Sequence, residues 1–78
     1  MRIAVKYMAT YRKYLKAGQE SPFPMEVEAG TKLEALLERL PLPPGEDTVA
    51  LVNGRSAPPD QLLQEGDVVA LFPAIAGG

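Results

Sequence analysis

Thr31-Lys32-Leu33-Glu34-Ala35-Leu36-Leu37-Glu38-Arg39-Leu40 is the stretch on which the fold turns. Leu33, Leu36, Leu37 and Leu40 fall at i, i+3, i+4 and i+7, so they share one stripe of an α-helix. Thr31 and Glu34 have the spacing of a capping box. In that motif the Thr31 hydroxyl accepts from the Glu34 backbone N–H, and the Glu34 side chain reaches back. Pro41, Pro43 and Pro44 follow at once. Proline lacks the N–H, and its ring clashes with the preceding turn, so these residues end the helix. The spacing predicts one helix over residues 31–40, with an apolar face that needs a sheet to cover.

The flanking segments supply that sheet. Upstream, Arg2 to Met8 alternates, with Ile3, Val5 and Tyr7 on one side and Arg2, Ala4 and Lys6 on the other, the pattern of a half-buried strand. Ala9 to Gly18 predicts a short helical turn packed by Tyr11, Tyr14 and Leu15 and stopped at Gly18. Packing explains these tyrosines better than a tyrosine-lined ligand site. Ser21 to Glu28 reads as a second strand, with Phe23, Met25 and Val27 on one face. Pro22 and Pro24 cannot donate ladder bonds, which sends this strand to a sheet edge. About ten residues join the two strands into a wide hairpin.

Downstream, Thr48 to Val52 reads as a third strand. Asn53-Gly54 is a type I′ turn signal, because both central residues need φ > 0. Arg55 to Ala57 returns as a short strand. Pro58 to Leu63 is a connection in which Asp60 caps a brief 3₁₀ turn and Leu62 or Leu63 plugs the core. Glu65-Gly66-Asp67 is a tight turn, Val68 to Phe72 the last strand, and Pro73 stops the ladder. The order β, β, α, β, β, β with one main helix predicts an α+β fold. It is the ubiquitin-like β-grasp, a mixed sheet covered on one face. Iron–sulfur ferredoxins share that scaffold but need four cysteines, and this chain has none.

Seventy-eight residues with 46% hydrophobic content predict a single globular domain over residues 1–78, with a flexible tail at 73–78. The chain has no Cys and no His, which removes thiolate nucleophiles, imidazole bases and the soft metal ligands. No resident metal or cofactor is expected. Net charge is −2, and the basic residues are scattered apart from Arg12, Lys13 and Lys16. A solvated face accounts for that cluster, so no nucleic-acid partner is expected. Met1 to Val5 enters a strand pattern directly and does not resemble a signal peptide, and no apolar run is long enough to span a bilayer. A reducing cytoplasm fits the missing cysteines. Asp60, Glu65 and Asp67 are explained by turns rather than by acid–base catalysis.

Val68-Val69-Ala70-Leu71-Phe72 is apolar on both faces. A single helix covers one of them, so the other calls for a partner protein. From Pro73 onward six residues extend about 20 Å. Ala74, Ile75 and Ala76 are uncharged and suit an apolar groove. Gly77 and Gly78 have no Cβ, so they can thread a narrow channel and deliver the Gly78 carboxylate into a partner's active site.

These residues resemble the ubiquitin-like sulfur carriers, and among them the molybdopterin synthase small subunits. The resemblance covers the whole chain. It includes the Tyr11-to-Gly18 turn, the helix after Gly30-Thr31, and Val52-Asn53-Gly54. Its most specific part runs from Glu65-Gly66-Asp67 through Val68-Val69-Ala70-Leu71-Phe72-Pro73 into Ala76-Gly77-Gly78. Thiamine-pathway carriers share the Gly-Asp turn and the Gly-Gly ending but typically lack Phe-Pro, so Phe72-Pro73 favours the molybdenum cofactor branch. The Pro41-to-Gly45 segment is less typical of it.

The resemblance implies that an E1-like enzyme adenylates Gly78 and that sulfur then replaces AMP to leave a thiocarboxylate. The large subunit of a hetero-oligomeric molybdopterin synthase would receive the tail, and the sulfur would pass to a pterin precursor. In this reading nothing is bound stably. Acyl-AMP and thiocarboxylate are transient states of Gly78, Gly77 gives access, and Leu71, Phe72, Pro73, Ile75 and Ala76 dock. The chain then supplies a non-catalytic subunit with no catalytic side chain of its own. The alternatives are a sulfur carrier for thiamine or thiolated tRNA, a protein modifier joined to lysines through Gly78, and a plain interaction domain.

Overall fold

The computed structural model describes residues 1–42 and 47–74. Its elements are β1 (Arg2–Tyr7), a 3₁₀ turn (Ala9–Tyr14), β2 (Phe23–Glu26), α1 (Leu33–Glu38), β3 (Thr48–Val52), β4 (Arg55–Ser56) and β5 (Val68–Pro73). The five strands form one sheet in the order β2-β1-β5-β3-β4. β5 lies at its centre, parallel to β1 and antiparallel to β3. This is the expected α+β β-grasp, and the proline-bearing β2 is an edge strand, paired antiparallel to β1.

Period-two alternation decides the core. Ile3, Val5 and Tyr7 of β1, Val69 and Leu71 of β5 and Val52 of β3 are buried together with Leu33 and Leu36 of α1. Tyr11, Val27 and Leu63 complete the cluster, while Leu37, Leu40, Phe23 and Met25 pack on its margin half-buried. Asn53 and Gly54 have φ of 53° and 82°, as the I′ turn between β3 and β4 requires.

Four local expectations need correction. The capping box does not form: the Thr31 hydroxyl donates instead to the Glu28 carbonyl at 2.7 Å, and Lys32, in extended conformation, is the N-cap. Leu33 N–H donates to the Gln61 carbonyl and Glu34 N–H to the Pro59 carbonyl, so the connection after β4 caps the helix with backbone. The helix is also shorter than the leucine stripe. Arg39 and Leu40 N–H bond to carbonyls three residues back, because Pro41 disfavours α conformation in the residue before it.

Gly18 does not stop the 3₁₀ helix, which ends when Leu15 turns extended; Gly18, at φ 79°, serves a separate turn closed by Gln19 N–H on the Lys16 carbonyl. Residues 58–63 form a turn with Gln61 N–H on the Pro58 carbonyl rather than a 3₁₀ helix, and Leu63, not the 55%-exposed Leu62, fills the core. Pro43, Pro44 and Gly45, expected after the helix, lie outside the described residues.

Candidate functional site

The ladder bonds of β5 show why it carries the tail as it does. Val68 C=O accepts from Asn53 N–H and Ala74 N–H donates to the Asp47 carbonyl, so even-numbered backbone groups face β3. Odd-numbered ones face β1, where Met8 N–H reaches the Leu71 carbonyl. Pro73 is therefore aimed at the β1 side, beyond the last β1 pair at Tyr7 and Leu71, and no ladder bond needs its missing N–H. Pro73 does not stop the ladder. It pairs with Thr48, and Ala74 adds a further bond. The tail thus leaves from a backbone tied down through residue 74.

The same alternation separates the docking candidates. Leu71 is fully buried against the helix side, so it holds the strand and has no surface to offer a partner, contrary to expectation. Phe72 points to the opposite face and is half-buried; Pro73 is also half-buried. Ile75, Ala76, Gly77 and Gly78 lie outside the described residues.

Register places Phe72 in a wider patch that the linear reading did not assemble. Phe72 pairs with Val49, Ala70 pairs with Leu51 and Lys6, and Val68 pairs with Ala4. Paired residues project to one face. The open face thus carries Ala4, Lys6, Val49, Leu51, Val68, Ala70 and Phe72, with Lys6 exposed, Val68 36% exposed and Ala70 buried between its neighbours. Val49 to Val52 is apolar at every position, so nothing local separates Val49 and Leu51 from Val52; their pairing with β5 does.

The start of β5 is fixed by a polar knot. Asp67 is 8% exposed and accepts from Asn53 Nδ2 at 2.9 Å and from Gln64 N–H at 2.8 Å. Asn53 Oδ1 in turn accepts from Val68 N–H at 2.9 Å. Both carboxylate oxygens are occupied, which makes Asp67 a register pin rather than a proton donor. At the other end the 3₁₀ turn packs against β5 and β1, and Tyr11 shares a 3.0 Å hydroxyl bond with Thr48 beside the tail root. Among the described residues no group of three His, Cys, Asp or Glu could hold a metal ion. No described helix is long and apolar enough to cross a membrane.

Known proteins match this arrangement. The family model described as the ThiS family matches residues 5–78. A Pyrococcus furiosus structure described as molybdopterin converting factor, subunit 1, is 28% identical, with a TM-score of 0.75 over 95% of this chain and 98% of that one. The HVO 2177 protein of Haloferax volcanii is 25% identical, with a TM-score of 0.77 over 100% of this chain and 87% of that one. The small archaeal modifier protein 1 of the same organism shares the fold at 19% identity, with a TM-score of 0.71 over 95% and 98% of the two chains. No curated protein matches the chain.

Proposed function

The chain belongs to the ThiS family of ubiquitin-like sulfur carriers, and from that premise we propose that it carries sulfur on Gly78 for molybdenum cofactor synthesis in the cytoplasm. A carboxylate is a poor electrophile, so it has to be activated. An E1-like partner brings ATP, since this chain has no phosphate-binding glycine loop. The Gly78 carboxylate attacks the α-phosphorus, pyrophosphate leaves, and an acyl-AMP anhydride results. A sulfur nucleophile then displaces AMP and leaves a thiocarboxylate. The loaded tail enters the large subunit of a molybdopterin synthase, where the sulfur passes to a pterin precursor.

The observation that carries this reading is the family match running through the strand and tail together, with an unpaired apolar face beside them. Binding energy from Phe72 and its neighbours, remote from the reacting atom, can hold Gly78 in place. Gly77 gives access to the channel, and Pro73, Ile75 and Ala76 line the approach. The molybdenum branch rests on Phe72-Pro73 and on the likeness to the Pyrococcus furiosus protein.

The test is intact mass spectrometry after incubation with an E1-like enzyme, ATP and a sulfur source. The expected result is one oxygen replaced by sulfur on the C-terminal peptide, with transfer to a pterin precursor when the large subunit is added. Isopeptide adducts through Gly78 without any such shift would select the modifier reading, which the fold shared with the small archaeal modifier protein accommodates. A thiocarboxylate that passes its sulfur to a thiamine precursor or to tRNA would keep the carrier and change the branch.

A further inference from the structure

Charge is distributed unevenly along this chain. Residues 1–19 hold five of its eight basic residues, Arg2, Lys6, Arg12, Lys13 and Lys16, and none of its ten acidic ones; the first carboxylate is Glu20. Arg2 is neutralised across the β1–β2 pair, with its Nε 2.9 Å from Glu26. Lys6, Arg12, Lys13 and Lys16 are exposed, and among the described residues none of them is ion-paired. Composition alone makes this a solvated face. The fold gives it a place.

The segment that carries these cations packs beside the root of the tail. Lys6 pairs with Ala70 on the open face, two residues before Phe72. β1 ends at Tyr7, opposite Leu71, and the 3₁₀ turn that follows packs against both strands. Tyr11 fixes that turn. It is 1% exposed, and its hydroxyl shares a bond with Thr48, the residue that pairs with Pro73. Arg12 and Lys13 come directly after Tyr11, so an anchored turn presents them on the β1 flank of the tail root. On the opposite flank the exposed Asp47 precedes β3, and its carbonyl holds the Ala74 N–H. Charge therefore changes sign across the point where the tail departs.

We propose that this basic flank docks an acidic surface on the E1-like protein that receives the tail, and that the charge pairing steers the tail toward its entrance. The pairing presupposes the carrier reading and adds the chemistry of the partner's surface. A net charge of −2 does not oppose it. At physiological salt, charges are screened beyond about 8 Å, so a docking surface meets the local cations. A protein fits the place better than a nucleic acid does, because Lys6 shares its face with Phe72 and the other apolar residues. Exposed ion pairs add little affinity once formed. Their effect is on encounter and orientation, where complementary fields raise association about 10- to 1000-fold.

The experiment is the initial rate of adenylation by an E1-like enzyme at saturating ATP, followed by pyrophosphate release over a range of full-length carrier and of NaCl. Raising NaCl from about 0.05 to about 0.5 M should lower kcat/KM for the carrier about ten-fold and leave kcat within about two-fold. Arg12→Glu with Lys13→Glu should lower kcat/KM about ten-fold at low salt and flatten its salt dependence, with the melting temperature unchanged. Lys32→Glu with Arg55→Glu makes the same charge change elsewhere. Lys32 heads α1, and Arg55 pairs with Val52 near the start of β5. That pair should keep the parent's kcat/KM and its salt slope. The proposal is overturned if kcat/KM is indifferent to salt, as an interface held by the apolar face alone would be. It is also overturned if the two double variants behave alike, or if Arg12→Glu with Lys13→Glu lowers kcat alone. No pyrophosphate release at any salt concentration overturns the carrier reading along with this one; adenylation without salt dependence overturns this one only.

Discussion

Leu71 and Phe72 are neighbours in one strand, yet they do opposite work. Leu71 faces α1 and has no exposed surface; Phe72 faces away and shares an open apolar patch with Val49. Around Leu71 the helix side is a closed core in which every change of volume is felt. The other side is a pleated surface awaiting a cover. One apolar run can thus be half scaffold and half interface. Composition does not separate the halves; the two-residue period of the strand does.

Leu71→Ala should break the scaffold half. Removing a fully buried leucine side chain costs about 2–5 kcal/mol, a large share of the stability of a domain this small. Urea unfolding should show a lower midpoint. Phe72→Asp should break the interface half instead. It should leave the unfolding free energy within about 0.5 kcal/mol of the parent, as surface changes generally do, and lower thiocarboxylate formation by an E1-like partner about 30-fold, the size of an interface hot spot. If Phe72→Asp unfolds the protein, or Leu71→Ala leaves it as stable as the parent, the two-face division is wrong.

Asp67→Ala tests what holds the faces apart. It strips the Asn53 amide and the Gln64 N–H of their acceptor, at a cost of about 1–3 kcal/mol. A one-residue slip of β5 would exchange the faces entirely, so amide exchange along the strand should quicken with it.

A smaller effect sharpens the core side alone. Burial, then Tyr14, raises the pKa of Tyr7, so the folded state holds that proton more tightly than the unfolded chain. The resulting stability is complete below about pH 10, the ordinary tyrosine value, and is lost as pH climbs toward the folded value. Tyr7→Phe should flatten this alkaline loss in thermal melts. The smallest expected effect is Glu34→Ala, within about 0.5 kcal/mol, because no capping box forms.

Much of this was legible in local pattern. The helix, the Asn53-Gly54 turn and the proline-marked edge strand each rest on short-range sterics or periodicity, and each is present, although the helix ends at Glu38 and the edge strand spans only Phe23–Glu26. The misses that bear on the site were long-range. Thr31 is spaced to cap a helix, but the carbonyls of Pro59 and Gln61 arrive first. Pro73 has no N–H to give, but on the β1 side to which it would point no strand lies beside it. Leu71 sits inside the segment that resembles a docking strand, and only its direction removes it from the interface. Asp67 was legible as a turn residue; its bond to Asn53 spans fourteen positions and left no local trace.

Most element types, the two-residue period of the strands and the kinship of the Glu65-to-Pro73 segment are set locally, because dihedral preferences and side-chain period act within a few residues. Tertiary structure decided which parity met the helix, which backbone groups capped it, and how Val49, Leu51 and Phe72 became one surface. Those outcomes depend on register between strands distant in the chain, and register is settled when the apolar faces close against one another.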